Sequence, residues 1–136
     1  MDEGRILEHL LYNEIRNSYE NIYTEKQLIQ NFGFQASSID FLIIKNNIVI
    51  CIQTKWKKSR RKENKGVHNF LDSITYLKTT DLFKNKLLHG IWASRRDPFL
   101  DNKKLMKILN VHCYSCYDSM EGLISGTKNI CSNICV

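Results

Sequence analysis

Ser38-Ile39-Asp40-Phe41-Leu42-Ile43-Ile44-Lys45-Asn46-Asn47-Ile48-Val49-Ile50-Cys51-Ile52-Gln53-Thr54-Lys55 decides the fold of this chain. Two apolar, β-branched runs, Ile39 to Ile44 and Ile48 to Ile52, flank Asn46-Asn47. Asn tolerates left-handed φ, so a two-residue turn is expected there, and the runs read as the strands of a hairpin. The turn pairs Lys45 with Ile48. Counting outward, Asp40 falls opposite Gln53. Opposed residues on an antiparallel pair have Cβ atoms about 4.5–5.5 Å apart. Side chains alternate faces, so Lys55 shares the face of Gln53.

This register places a carboxylate, an amide oxygen and an ammonium together. Mg²⁺ prefers oxygen ligands and is commonly held by one or two carboxylates plus substrate phosphate. A nearby Lys can orient a water or offset developing negative charge. The group therefore suits phosphodiester chemistry. An ordinary hairpin with a solvated polar end has the same residues, since Asp, Gln and Lys are common at strand ends.

Asp40, the apolar hairpin, then Gln53-Thr54-Lys55 followed by Trp56, resembles the PD-(D/E)xK nuclease superfamily, in the Q-x-K form similar to Mrr-like restriction endonucleases. The resemblance runs over roughly residues 4–80. It departs from the pattern twice: Ile39 stands where Pro is usual, and neutral Gln53 stands where an acid is more common. The resemblance implies a restriction-endonuclease-like α/β core, a central mixed β-sheet flanked by helices. It also implies a metal site of Asp40, Gln53 and an acid from the first helix, taking Mg²⁺ or Mn²⁺, with Lys55 as the water-positioning group. Gly4-Arg5-Ile6-Leu7-Glu8 resembles the helix-one glutamate motif of these nucleases, which points to Glu8; Glu14 is the rival, lying between Leu7 and Leu10 on a helical wheel.

Length and composition bound the rest. With 136 residues the chain reads as one domain, 1–136. No apolar run approaches 18 residues, so no membrane span is expected. Asp2 and Glu3 sit where a signal peptide needs positive charge, which argues for an intracellular protein, cytoplasmic or nuclear rather than secreted. The net charge is +6, and seven of the eleven residues from Lys55 to Lys65 are basic: Lys55, Lys57, Lys58, Arg60, Arg61, Lys62 and Lys65. Neutralising phosphates supplies most nucleic-acid affinity, so this run reads as a backbone contact; a solvated loop is the plainer alternative. Trp56 would stack on a base or sugar, or wedge into the core.

A coarse pass gives the element order. Residues 3–19 carry helical periodicity. Thr24 and Gln27 have capping-box spacing, and Gly33 can end the short helix they begin. Val67, Phe70, Leu71, Ile74 and Leu77 mark a third helix. Leu87 to Ala93 reads as a buried strand broken by Arg95-Arg96-Asp97-Pro98. Asp101 can cap a further helix, Val111 to Tyr114 is a strand, and Met120 to Ile130 is a terminal helix interrupted near Gly126.

Cys113 and Cys116 with Cys131 and Cys135 give a spacing that passes for a zinc site. Positions i and i+3 of a strand face opposite ways, however, so free thiols are favoured. His68, His89 and His112 read as structural. The expectation is a metal-dependent endonuclease acting on DNA. No small-molecule cofactor is expected. Its size resembles stand-alone junction resolvases, which work as dimers, so structure-selective cleavage and a homodimer follow from that branch of the resemblance. The alternatives are a non-catalytic nucleic-acid-binding protein on the same fold and an RNA nuclease.

Overall fold

The hairpin forms in the expected register. In the computed structural model, which describes residues 2–136, β2 (Phe41–Lys45) and β3 (Ile48–Lys55) pair from Lys45 opposite Ile48 to Phe41 opposite Ile52. Asn46 takes the left-handed φ of 56° that the tight turn requires. The ladder stops at Phe41, one rung short of the expected Asp40–Gln53 pair. Asp40 lies in a bend just before β2, although its N–H still donates to Ile52 O at 2.9 Å.

Three more strands extend the hairpin into a five-stranded mixed sheet of order β1-β2-β3-β4-β5. β1 (Asn21–Thr24) runs antiparallel to β2, while β4 (Leu87–Ser94) and β5 (Val111–Ser115) continue parallel from β3. β3 is central and covered on both faces, which is why Ile48–Ile52 is an unbroken apolar run instead of an alternating one. α1 (Glu3–Ile15) and α6 (Met120–Ile134) cover one face, with Leu7, Leu11 and Ile15 packed among Phe41, Ile43, Ile50 and Ile52. α2 (Glu25–Phe32), α4 (Val67–Lys78) and α5 (Leu100–Ile108) cover the other, where Phe70, Leu71 and Ile74 meet Leu42, Val49, Cys51 and Trp92. The short α3 (Arg60–Asn64) sits past the end of β3.

Thr24 and Gln27 form the capping box at the start of α2, and Gly33 ends that helix at φ 86°. Four expectations need correction. The first helix stops at Ile15, not residue 19: the N–H groups of Ser18 and Tyr19 both turn back onto Ile15 O. The chain then forms β1, an edge strand of four residues that is too short to carry a period of its own. α5 is preceded by Phe99 as its N-cap, so Asp101 falls inside the first turn, where its charge complements the helix dipole. Finally, α6 runs unbroken through Gly126.

Gly126 is there for packing. A Cβ on it would lie 2.1 Å from the Tyr114 ring, which crosses from β5 to donate its hydroxyl to Gly122 O at 3.2 Å. Helix propensity alone favours Ala over Gly by about 1 kcal/mol, whereas overpacking typically costs about 1–3 kcal/mol. The clash should win: Gly126→Ala should lower stability in urea unfolding, and Gly126→Ala combined with Tyr114→Ala should recover the helix-propensity gain relative to Tyr114→Ala alone.

Candidate metal and nucleic-acid site

β1, β3, β4 and β5 all run the same way, so Thr24, Lys55, Ser94 and Ser115 end together, beside Asp40 at the start of the reversed β2. Ligand sites of open α/β sheets commonly lie beyond the carboxyl ends of the strands. Two concavities occur at this end. One, about 570 Å³, is lined by Arg5, Glu8, His9 and Tyr12 of α1, by Thr24, Glu25 and Lys26, and by Asp40 and Phe41. The other, about 390 Å³, lies among Arg60, Arg95, Arg96, Asp97, Ser115 and Tyr117.

Asp40 is only 5% exposed. Its Oδ2 accepts from Thr54 N at 2.8 Å and from Thr54 Oγ1 at 2.9 Å, so the side chain replaces the ladder where the backbone leaves it. Burial, with the Glu8 charge second, pushes the Asp40 carboxyl up from its ordinary 3.8 to about 8, against the two Thr54 bonds; Glu25 adds to the rise. Glu25 is itself raised, by burial and then by Glu8. Three acids thus converge on the larger cavity. The ion pairs among the described residues are Lys84–Asp81, Lys103–Asp97 and Lys128–Glu14, and none involves Glu8, Glu25 or Asp40. Glu8 lines the cavity, whereas Glu14 points away to Lys128 of α6 at 2.9 Å. Glu25 escaped the sequence reading, although its place directly after the Thr24 cap puts it at a helix start on the strand end.

Gln53 meets Asp40, but by its donor edge. The amide satisfies its neighbours only when its nitrogen faces Ser38 O at 3.0 Å and Asp40 Oδ1 at 3.2 Å. The expected metal-facing oxygen therefore turns away, because two acceptors converge on this spot and only an NH₂ satisfies both. Gln53 pairs beside Trp92 on the α4 face, and Lys55 shares that face, its Nζ 6.0 Å from the Trp92 ring centroid and 3.6 Å from where a Gly66 Cβ would stand. Glu8 approaches from the α1 face. Asp40 stands between the two sides, which the bend before β2 permits. Gln53 and Lys55 do not line the larger cavity.

Hard cations suit carboxylates such as Asp40 and Glu8, which form no ion pair among the described residues. Among the described residues, no three Asp, Glu, His or Cys side chains stand close enough to hold a metal by themselves. A cation here would thus depend on Asp40, Glu8, the Gln53 oxygen after the amide turns over, water and substrate.

The basic run is not one surface. Trp56 is 9% exposed and packs in the α1/α6 core, with the Arg95 guanidinium stacked 4.9 Å from its ring, so it presents no free stacking face to a base. Arg60 is tied to Asp97 O at 2.6 Å and Pro98 O at 2.8 Å. Lys57, Lys58, Arg61, Lys62 and Lys65 are exposed. Holding this segment is Glu63, fully buried, whose carboxylate accepts from the backbone N–H groups of Lys57, Arg95 and Arg96. The strand ends thus carry two concavities, one where Glu8, Glu25 and Asp40 stand with Arg5, His9 and Lys26, and a separate one lined by arginines. Cys113 lies on the α5 face beside Met106, and Cys116, Cys131 and Cys135 belong to the α1/α6 face, so the sheet divides the four thiols.

Neither protein-family models, curated proteins nor solved structures provide a match to this chain.

The raised Asp40 carboxyl has a definite pH signature. The folded state holds its proton more tightly than the unfolded chain, so this group's contribution to stability is greatest below its ordinary value of 3.8 and is lost as pH rises toward about 8. Melting temperatures in EDTA should therefore fall across that window, and Asp40→Asn should flatten the fall. Gln53→Glu should be unstable in EDTA, by about 1–3 kcal/mol, because it sets an acceptor against Ser38 O and Asp40 Oδ1. Adding Mn²⁺ should restore more stability to that variant than to wild type; equal responses would mean position 53 does not face the cation.

Proposed function

We propose that this protein is a metal-dependent endonuclease hydrolysing DNA phosphodiester bonds, on a core like that of the PD-(D/E)xK nucleases. The observation that carries the reading is the convergence of Asp40, Glu8 and Glu25 on one cavity at the strand ends, in no ion pair among the described residues, with Gln53 reaching Asp40 from the other face. Perturbed acids gathered in a cleft are typical of functional sites. Mg²⁺ or Mn²⁺, held by Asp40, Glu8 and Gln53, would supply Lewis-acid polarisation of a phosphoryl oxygen.

The chain's own groups divide the remaining work. Thr54 fixes the Asp40 carboxylate through two hydrogen bonds to Oδ2, so Oδ1, which takes the Gln53 amide, has one orientation. Lys55, which no carboxylate pairs among the described residues, orients a water or offsets the charge growing on the phosphate. Because Asp40 loses its proton only near pH 8, metal affinity should rise through that region, with proton release on binding. Five free cysteines suit a reducing, intracellular setting, cytoplasmic or nuclear. A homodimer belongs to the junction-resolvase form of this reading. No helix among the described residues is long and apolar enough to cross a membrane.

One observation favours a second reading, a non-catalytic nucleic-acid-binding protein: the Gln53 donor edge already satisfies Asp40 without a cation. Incubation with supercoiled, linear and branched DNA and with RNA, under Mg²⁺, Mn²⁺ or EDTA, separates the cases. DNA should be cut with either metal and not in EDTA. Asp40→Ala should abolish cutting, Lys55→Ala should slow it by about 10²–10⁴-fold while keeping metal binding, and Glu14→Gln should cut normally. Cleavage of RNA alone would make the protein a ribonuclease. Wild-type rates in both the Asp40 and Lys55 variants would refute hydrolysis at this site.

A further inference from the structure

Three guanidinium groups line the smaller concavity, and none is paired with a carboxylate among the described residues. The one acid there, Asp97, is taken by Lys103 at 2.7 Å. Glu63 lies behind the wall, its oxygens engaged by backbone N–H groups. The arginines are nevertheless held firmly. Arg95 lies between Trp56 and Tyr117, 4.9 and 4.5 Å from the ring centroids, with Nε donating to Tyr117 O at 3.3 Å. Arg96 stacks on the same Tyr117 at 5.5 Å and donates from Nη1 to Lys58 O at 2.8 Å. Arg60 is fixed by Asp97 O and Pro98 O, beside Phe99. Each spends donors on carbonyls that fix its orientation. Nη1 of Arg60, both Nη of Arg95, and Nε and Nη2 of Arg96 keep no hydrogen-bond partner among the described residues.

Planar donors fixed in place match the oxygens of a phosphate, and little side-chain freedom is lost when they bind it. We propose that this concavity is a second phosphate subsite, gripping a backbone phosphodiester of the same nucleic acid whose scissile group lies at Asp40. The inference rests on the nucleic-acid reading of the acid-lined cavity. The ends of β4 and β5 stand two to three strand spacings from the start of β2, roughly 10–14 Å. Neighbouring phosphates of one strand lie farther apart than their axial rise of about 3.4 Å, so the two sites are at most about four nucleotides apart. A strand is favoured over a free nucleotide because Lys57, Lys58, Arg61 and Lys62 continue the exposed positive charge beyond the pocket.

The test measures binding without chemistry. Fluorescence anisotropy of a labelled duplex oligonucleotide is followed against salt in EDTA, for the full chain and for Arg95→Gln/Arg96→Gln. A lost phosphate contact lowers the slope of log K against log salt by about 0.9, so the double variant, which gives up the one phosphate held here, should lose about 0.9. Arg95→Lys/Arg96→Lys, which keeps the charges, should retain most of the slope. Arg96→Gln alone removes one carbonyl bond and one contact with the Tyr117 ring and guards against misfolding of the double variant; it should lose part of that change of about 0.9. An unchanged slope in a folded Gln variant, or no oligonucleotide binding by wild type, overturns the subsite. Titration with inorganic phosphate and a nucleoside monophosphate forms the other arm: binding as tight as the oligonucleotide's would assign the pocket to a small phosphorylated ligand and overturn the strand. A reduced slope in a protein that never cleaves would keep the subsite and remove only hydrolysis.

Discussion

A buried carboxylate holds the end of the central hairpin, and the arrangement of the site depends on it. Where β2 bends away from β3, the Thr54 N–H would lose its ladder partner. The Asp40 side chain takes that place and accepts the Thr54 hydroxyl as well. A buried amide without an acceptor is costly, so Asp40 has a structural reason to be there whatever its chemistry. The same bond fixes a carboxylate at the strand ends, facing α1 on one side and Gln53 on the other.

Glu63 does the equivalent work across the sheet. It gathers three backbone N–H groups from the segments after β3 and β4, and so shapes the wall that carries Arg95 and Arg96. The two acids differ in what surrounds them. Burial raises both, but Glu63 has three backbone donors and the Arg95 charge to oppose the rise, while Asp40 faces the like charges of Glu8 and Glu25. The contrast separates a carboxylate built to support the fold from one whose electrostatic tension a cation would relieve.

Charge is divided accordingly along the strand ends. The three acids, with Arg5 and Lys26 among them, gather over β1 and β2, whereas Arg60, Arg95 and Arg96 gather beyond β3 and β4. The parallel stretch β3-β4-β5 makes this possible, since it delivers three successive strand-to-loop junctions to one end of the molecule. The antiparallel hairpin adds Asp40 there by reversing the chain. A polyanion laid across this end would meet both kinds of surface.

Local physics made much of this legible. Unbroken apolar runs on either side of Asn46-Asn47 are enough for the hairpin and its register; Thr24, Gln27 and Gly33 are enough for the limits of α2; and the 3.6-residue spacing of Val67 to Leu77 is enough for α4. The nearness of Asp40 and Gln53 followed from counting rungs. What failed depended on partners distant in sequence. β1 exists because β2 offers it an edge, and Gly126 keeps α6 unbroken because Tyr114 from β5 needs the room. Trp56 is buried because α1 and α6 close over it. The edge of the Gln53 amide that faces Asp40 was decided by Ser38 O, and the choice of Glu8 over Glu14 by Lys128, which draws Glu14 to α6. The sequence by itself determined the pairing of β2 with β3 and which chemical groups are available. Only the tertiary structure decided which acids share a cavity, because burial and like-charge repulsion act through space between elements that the chain order does not bring together.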